Sequence, residues 1–485
     1  MNEPAAAPGK LSTSAIVAFS AVSLPTSALS LAIVIYLPAY FATSLGVSLT
    51  VIGGSWATVR MLDIIVDVVL AETMDRTRTS FGRYRPWLVI GAPLVMLGVY
   101  KIFMAPPGFD GVYLVSWLLV MYLGTSILNL SHSAWGAKLA PGYHDRSRLF
   151  GVLALVGVLG AFAALSFPAA AMPLGHTHAR SIQDMGWFIF WLTPVAVALV
   201  VWSTPETVAP ERQRRRHSLS DYWALFTNTS LVRLFLAQGA LTLGPGWMGA
   251  LYLFFFTDSL GFTANQASIL MGGYILAGVI GAPITARMAV KFGKHHTLVF
   301  TTTAFSLGLF TVKLIPHGQI MAAVPAMLWC GAMAAGFDLM IRSMLADVGD
   351  EVRLEQGRER ISLIYAVNTL AAKIAAAFAI GLTFPLLARL GYVAREGAVN
   401  SPEAIRSLEH VFVIGPIVFV TLGGACVLGW RLDARRHDRI RAQLEARDAP
   451  CTTAPTIASV ESQATVTAAL PSRAREDTDS GRPSS

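Results

Sequence analysis

The chain has 485 residues, 54% of them hydrophobic and only 14% charged. A soluble protein of this size needs a far more charged surface, so a soluble globular domain is excluded. The net charge of +8 would fit a nucleic-acid partner, but the basic residues sit in short stretches between apolar runs. They read as membrane topology, and no nucleic-acid partner is expected.

A bilayer-spanning helix takes ~20 mostly apolar residues. Twelve such runs follow one another, at 14–43, 47–73, 86–105, 112–138, 149–172, 185–203, 230–257, 264–290, 297–315, 319–345, 361–390 and 409–431. The loops after the even-numbered spans carry the basic residues, among them Arg76, Arg83, Arg146, Arg212–Arg216, Lys294, Arg353 and Arg360. The alternate loops hold few. The positive-inside rule then places the basic loops and both termini in the cytoplasm, with the chain as a multi-pass protein of the plasma (inner) membrane. The first apolar run is too long for a cleaved signal peptide. Cys330, Cys426 and Cys451 are scattered, so neither a disulfide framework nor a metal site is expected.

The spans divide into two sets of six. Expected are an N-terminal tail (1–13), a first half (14–203), a polar linker (204–229) with Pro205, Pro210 and the Arg212–Arg216 run, a second half (230–435) and a disordered tail (436–485). The halves echo each other. Phe81-Gly82-Arg83-Tyr84-Arg85 follows span 2, and Phe292-Gly293-Lys294-His295-His296 follows span 8. Asp145–Arg148 before span 5 has a counterpart in Asp347–Arg360 before span 11. The expected fold is an all-α membrane protein of the major facilitator type, with two pseudo-symmetric six-helix halves.

Span 2 carries Arg60, Asp63 and Asp67 near its centre, on one helical face by their spacings of three and four. Each costs ~2.5–3.5 kcal/mol in a membrane helix, so they must face protein or water. Two carboxylates against one arginine leave a negative charge that Na⁺ or H⁺ would balance; the alternative is an ion-pair cluster that joins helices. Lys373, mid-way along span 11, is a candidate counter-ion and a candidate switch.

Arg60-x-x-Asp63-x-x-x-Asp67, followed by Asp75-Arg76-Thr77-Arg78-Thr79-Ser80-Phe81-Gly82-Arg83-Tyr84-Arg85-Pro86-Trp87, resembles the glycoside–pentoside–hexuronide:cation symporters, the melibiose-carrier family. Asp347 with Asp350, Lys373 and Gly391-Tyr392 extend the resemblance, which runs over most of 15–432. It implies that Asp63 and Asp67 bind the coupling cation beside Arg60, with Ser126 as a further oxygen. It also implies substrate-side or coupling roles for Lys373, Thr369 and Asn368. Asp75 with Arg76, Gly82 and Arg83 resembles the facilitator loop motif that latches helices, and Arg146 and Asp347 fall in the matching charged stretches.

The departures bear on ion and substrate. Val66 stands where Na⁺-using members place asparagine, and Val68 where proline often follows, which favours H⁺ over Na⁺. Ser27, Asn129 and Ala154 stand where galactoside carriers hold charged residues. Asp338 and Arg342 on span 10 form either an intrahelical salt bridge near a gate or a site for a substrate carrying charge. His176 and His178 are expected in a solvated loop, and His132 as a packing histidine.

The expected function is cation-coupled symport of a small organic solute, a sugar, glycoside or related compound, by alternating access. Proton-driven export of amphiphilic or lipophilic compounds is the alternative. An enzyme would need a convergent nucleophile set, metal cluster or cofactor motif, and the sequence offers none. The expected partners are a small-molecule substrate and the lipid bilayer; the chain is expected to act as a monomer, with no cofactor beyond the coupling ion.

Overall fold

A computed structural model describes residues 12–140, 143–170, 175–206, 219–357 and 360–448. Among them are twelve helices long and apolar enough to cross a membrane. The first six are α1 (Thr13–Thr43), α2 (Leu49–Arg76), α3 (Arg85–Phe103), α4 (Gly111–Leu139), α5 (Tyr143–Ala170) and α6 (His178–Ser203). The second six are α7 (Thr229–Ser259), α8 (Ala264–Phe292), α9 (Lys294–Leu314), α10 (Ile320–Gln356), α11 (Ile361–Arg389) and α12 (Pro402–Ala425).

Short polar side chains start many of these helices, because the first backbone N–H groups of a helix have no partner within it. Ser48 accepts from Val51 N at the head of α2, Asp110 from Tyr113 N at α4, and Asn228 from Leu231 N at α7. Thr263 forms a reciprocal box with Gln266 at α8. Two starts differ by seven residues from the hydropathy reading. The sixth helix begins at His178, capped by Thr177, seven residues before the expected 185. The twelfth runs Pro402–Ala425 rather than 409–431, because Ser401 caps it, Pro402 sits in its first turn and Glu403 suits its positive end. Charge at the head of a helix lowers hydropathy while favouring the helix.

The halves are related in detail. The first helix of each carries one π-helical turn, Ala32–Tyr36 in α1 and Phe255–Ser259 in α7. Close crossings rest on glycine. A Cβ on Gly98 of α3 would lie 2.6 Å from the Met121 backbone of α4, and one on Gly124 of α4 would lie 2.6 Å from Val95 N of α3. Between halves, Gly53 of α2 faces Pro385 of α11, and Gly381 of α11 faces Ala57 of α2. On the side away from the basic loops, the Tyr36 hydroxyl donates to Ser268 Oγ (2.8 Å), Glu396 N donates to Thr43 O (3.1 Å) and Asn265 bonds the Ala169 carbonyl. The contacts at Gly53 and Gly381 place α2 and α11 face to face, which is what brings charges from the two halves together.

Residues 207–218 of the linker lie outside the described residues, and Leu219–Phe226 is a short helix. The chain from 436 was expected to be disordered, yet Ala434–Asp448 is helical. Its Ala, Arg, Gln, Leu and Glu are strong helix formers, and Arg441 pairs with Glu445 one turn on (3.7 Å). Low hydrophobicity there removed a membrane span without removing helix propensity; residues 449–485 lie outside the described residues.

Gly98→Leu should push α3 off α4 and cost about 1–3 kcal/mol, the usual range for overpacking. Thermal unfolding in detergent, compared with Leu97→Ala on the exposed face of the same helix, checks it.

Candidate cation and substrate site

The site is built where α2, α4 and α11 meet. Asp63 is buried, at 2% exposure. Its Oδ1 accepts from Ser126 Oγ of α4 at 2.8 Å, and its Oδ2 receives Lys373 Nζ of α11 at 3.0 Å. Arg60 Nη1 lies 3.8 Å from the same Oδ2, and its guanidinium stacks over the Tyr122 ring of α4 at 4.7 Å. Lys373 also bonds Asp67 Oδ2, while Asp67 Oδ1 is buried with no hydrogen-bond partner among the described residues. Two carboxylates thus face two cations. The negative charge expected from α2 alone is balanced by the lysine of the other half.

One turn beyond, α2 turns apolar on its α4 side. Leu70, Met74 and Ile127 form a buried cluster with Val66, Leu94 and Leu123 packed against it. Val66 therefore serves packing between helices, and an amide there would displace part of this cluster. The side chains gathered here are Asp63, Asp67 and Ser126 with the two bases Arg60 and Lys373.

A cavity of about 530 Å³ lies in the second half, among α7, α8, α10 and α11. Gln238, Thr242, Tyr274, Asp338 and Arg342 are its polar lining residues, beside Ala372, the neighbour of Lys373. Asn368 Nδ2 of α11 donates to Gln238 Oε1 (3.3 Å), and Gln238 Nε2 donates to Thr242 Oγ1 (3.1 Å). Asn368 Oδ1 is buried without a partner among the described residues. α11 therefore touches the carboxylate pair through Lys373 and the cavity wall through Asn368.

Other candidates fall as follows. Asp338 and Arg342 form the intrahelical salt bridge (Nε–Oδ2 2.5 Å), and both line the cavity. Asn129 is exposed on α4; Thr369 is exposed and donates to the Tyr365 carbonyl (2.9 Å). Ser27 is half-buried against Gly157 of α5. His132 is a packing histidine, as expected, bonded to Phe19 O (2.7 Å) and stacked on that ring. His178 corrects the solvated-loop expectation: it opens α6 with Nδ1 buried.

Of the latch candidates, four have contacts among the described residues. Arg76 pairs with Glu72 on its own helix, and Arg83 Nε donates to Met74 O (3.2 Å). Asp347 receives Lys294 Nζ at 2.7 Å on both oxygens. The side chains of Asp75 and Arg146 lie outside the described residues. The residue missed in the sequence is Glu206. Its carboxylate accepts from the backbone N–H of Arg83 (2.8 Å), Tyr84 (2.7 Å) and Arg85 (3.3 Å), which fastens the chain after α6 to the head of α3. Gly82, at φ +131°, leaves the room Glu206 occupies. An acid three residues after a membrane helix, ahead of the Arg212–Arg216 run, was the available signal.

Tyr392, in the loop after α11, donates to Asp258 of the π turn, and burial with that carboxylate pushes its phenol well above the usual range.

Lys373→Met should leave both carboxylates without their shared base. Breaking a buried pair costs about 3–5 kcal/mol, and partial exposure of Lys373 points to the lower end. Thermal unfolding of the single variant and of Lys373→Met with Asp67→Asn checks it; the double variant should be the more stable. Glu206→Ala should cost about 1–2 kcal/mol, as loss of a helix cap does, and should raise maleimide labelling of a cysteine placed at Ser80.

A sequence model described as MFS/sugar transport protein matches residues 18–434. The isoprimeverose transporter of Lactiplantibacillus pentosus is 24% identical over 431 residues, covering 85% of this chain and 87% of that one. The glucuronide carrier protein homolog of Escherichia coli (strain K12) is 22% identical over 426 residues, with 85% and 91% covered. The sodium-dependent lysophosphatidylcholine symporter 1 of Xenopus tropicalis is 22% identical over 409 residues, with 75% and 77% covered. The crystal structure of the nucleoside transporter NupG superposes with a TM-score of 0.60 at 14% identity, covering 87% of this chain and 100% of that one, a likeness of fold.

Proposed function

The chain belongs to the MFS/sugar transport protein family, as a glycoside–pentoside–hexuronide:cation symporter family member and a multi-pass membrane transporter rather than an enzyme, and from that premise we propose that it couples uptake of a sugar or glycoside to a cation bound at Asp63 and Asp67. The observation that carries this reading is Lys373, a base from one half bonded to both carboxylates of the other. A cation that binds between the carboxylates competes with that ammonium. Binding then frees α11, the helix that also carries Asn368 against the substrate cavity. Each ligand thereby alters the other's affinity, and the effect is reciprocal.

The proton is the coupling ion this donor set favours. Na⁺ takes several oxygen ligands, and here Ser126 is the neutral side chain that bonds Asp63 while Val66 packs among apolar side chains. A carboxylate needs only the proton itself. The basic loops, including Lys294 and Arg353, support a cytoplasmic position for that side and for both termini, in the plasma membrane. Pseudo-symmetric halves around a mid-membrane site support alternating access. The relatives named above are symporters, carriers and a transporter, and none is described as an exporter.

The test is uphill accumulation in proteoliposomes of a labelled panel of glucosides, galactosides and xylosides. An imposed pH gradient should drive it, and a Na⁺ gradient should not. Asp63→Cys and Asp67→Cys should each abolish it while leaving downhill exchange measurable. Wild-type accumulation in both variants would remove the carboxylates from coupling.

A further inference from the structure

We propose that Asp338 and Arg342 of α10, with Gln238, Thr242 and Tyr274, form a subsite in the second half that reads a vicinal diol of a neutral, polyhydroxylated solute. It rests on the proposed function in taking the chain to carry such a solute.

The first observation is charge. Arg342 Nε donates to Asp338 Oδ2 at 2.5 Å, so the pair is neutral as a whole. A substrate carboxylate drawn to the guanidinium would meet the Asp338 carboxylate beside it. A substrate ammonium would meet the reverse. A diol meets no such conflict: one hydroxyl donates to the carboxylate while the other accepts from the guanidinium, and the pair stays intact.

The second observation is unused bonding capacity. Arg342 has five N–H donors in a planar fork, and Nε alone goes to Asp338. Asp338 has a second oxygen, Oδ1. The two side chains are 56% and 63% exposed, so these groups are open to a ligand at the wall of the cavity. Across that wall the Asn368–Gln238–Thr242 chain fixes the Gln238 amide, and Asn368 Oδ1 at its end is buried with no partner among the described residues. A buried amide oxygen left unpaired is costly unless a ligand or water reaches it. Ala334 and Ala335 add little bulk to the wall, while Gly278 and Gly331 let α8 and α10 cross closely there. About 530 Å³ falls within the ~300–1,000 Å³ of ligand pockets.

The third observation is the lining itself. All of its residues belong to the second half, and the charged ones, Asp338 and Arg342, come from α10.

The experiment is binding to the full-length protein in nanodiscs by isothermal titration, without any ion gradient. The probes are p-nitrophenyl β-D-glucoside, galactoside and xyloside, with p-nitrophenyl β-D-glucuronide as the charged counterpart. At least one neutral glycoside should bind, and more tightly than the glucuronide. Asp338→Asn and Arg342→Gln should each weaken that glycoside at least tenfold, and Gln238→Ala severalfold. Arg342→Lys and Asp338→Glu, which keep the charge and the fold but change the fork geometry, should weaken it as well. Wild-type affinity in the Asp338 and Arg342 variants, tighter binding of the glucuronide, or no binding of any neutral glycoside overturns the subsite. Gradient-driven accumulation by the unaltered protein is measured separately. Its failure with binding intact removes symport and leaves the subsite, and the converse result removes only the subsite.

Discussion

The bridge from Lys373 to Asp63 and Asp67 joins the two halves in the middle of the membrane, and the rest of the site is arranged around it. α2 alone would carry an expensive set of charges into the bilayer, with one negative charge unbalanced. The fourth charge comes from α11, so the set becomes neutral only when the halves are together. A buried ion pair of this kind adds little net stability, because desolvation offsets most of the attraction. Its value lies elsewhere: removal of either partner is costly, so the pair responds sharply to anything that competes for the carboxylates. A coupling ion is such a competitor.

α11 is the mechanical counterpart of this electrostatic arrangement. Lys373 faces α2, and Asn368, a little more than one turn away, faces Gln238 of α7. Glycine contacts at Gly53 and Gly381 let α2 and α11 approach closely enough for the ammonium to reach both aspartates. The apolar cluster around Leu70 and Met74 holds the following turns of α2 on α4. Charges and packing thus divide the length of α2, with one face serving both.

The basic loops show a second use of charge, in which the backbone is the partner. Glu206 gathers three N–H groups at the head of α3, where the helix dipole favours an anion. In the other half Lys294 clasps Asp347 at the corresponding loop. Sequence repetition between the halves is therefore real at the level of loops, but the chemistry that fastens each loop differs.

The twelve spans and the charged face of α2 were legible in the sequence, because each follows from local composition and helical spacing. Lys373 could be named as a counter-ion because a mid-membrane lysine must find one. Three things required the tertiary structure. Helix starts at His178 and Pro402 depend on caps whose polarity masks them in a hydropathy reading. Val66, read as a lost ligand, is a packing residue, since only the position of α4 shows which side of α2 is dry. The Asp338–Arg342 pair could be read as either a salt bridge or a substrate site. It is the salt bridge, and whether it also faces a cavity depended on residues of α7 and α8, distant in the chain, lying opposite α10. Local spacing determines which residues share a face; only the packing of distant helices decides what that face meets.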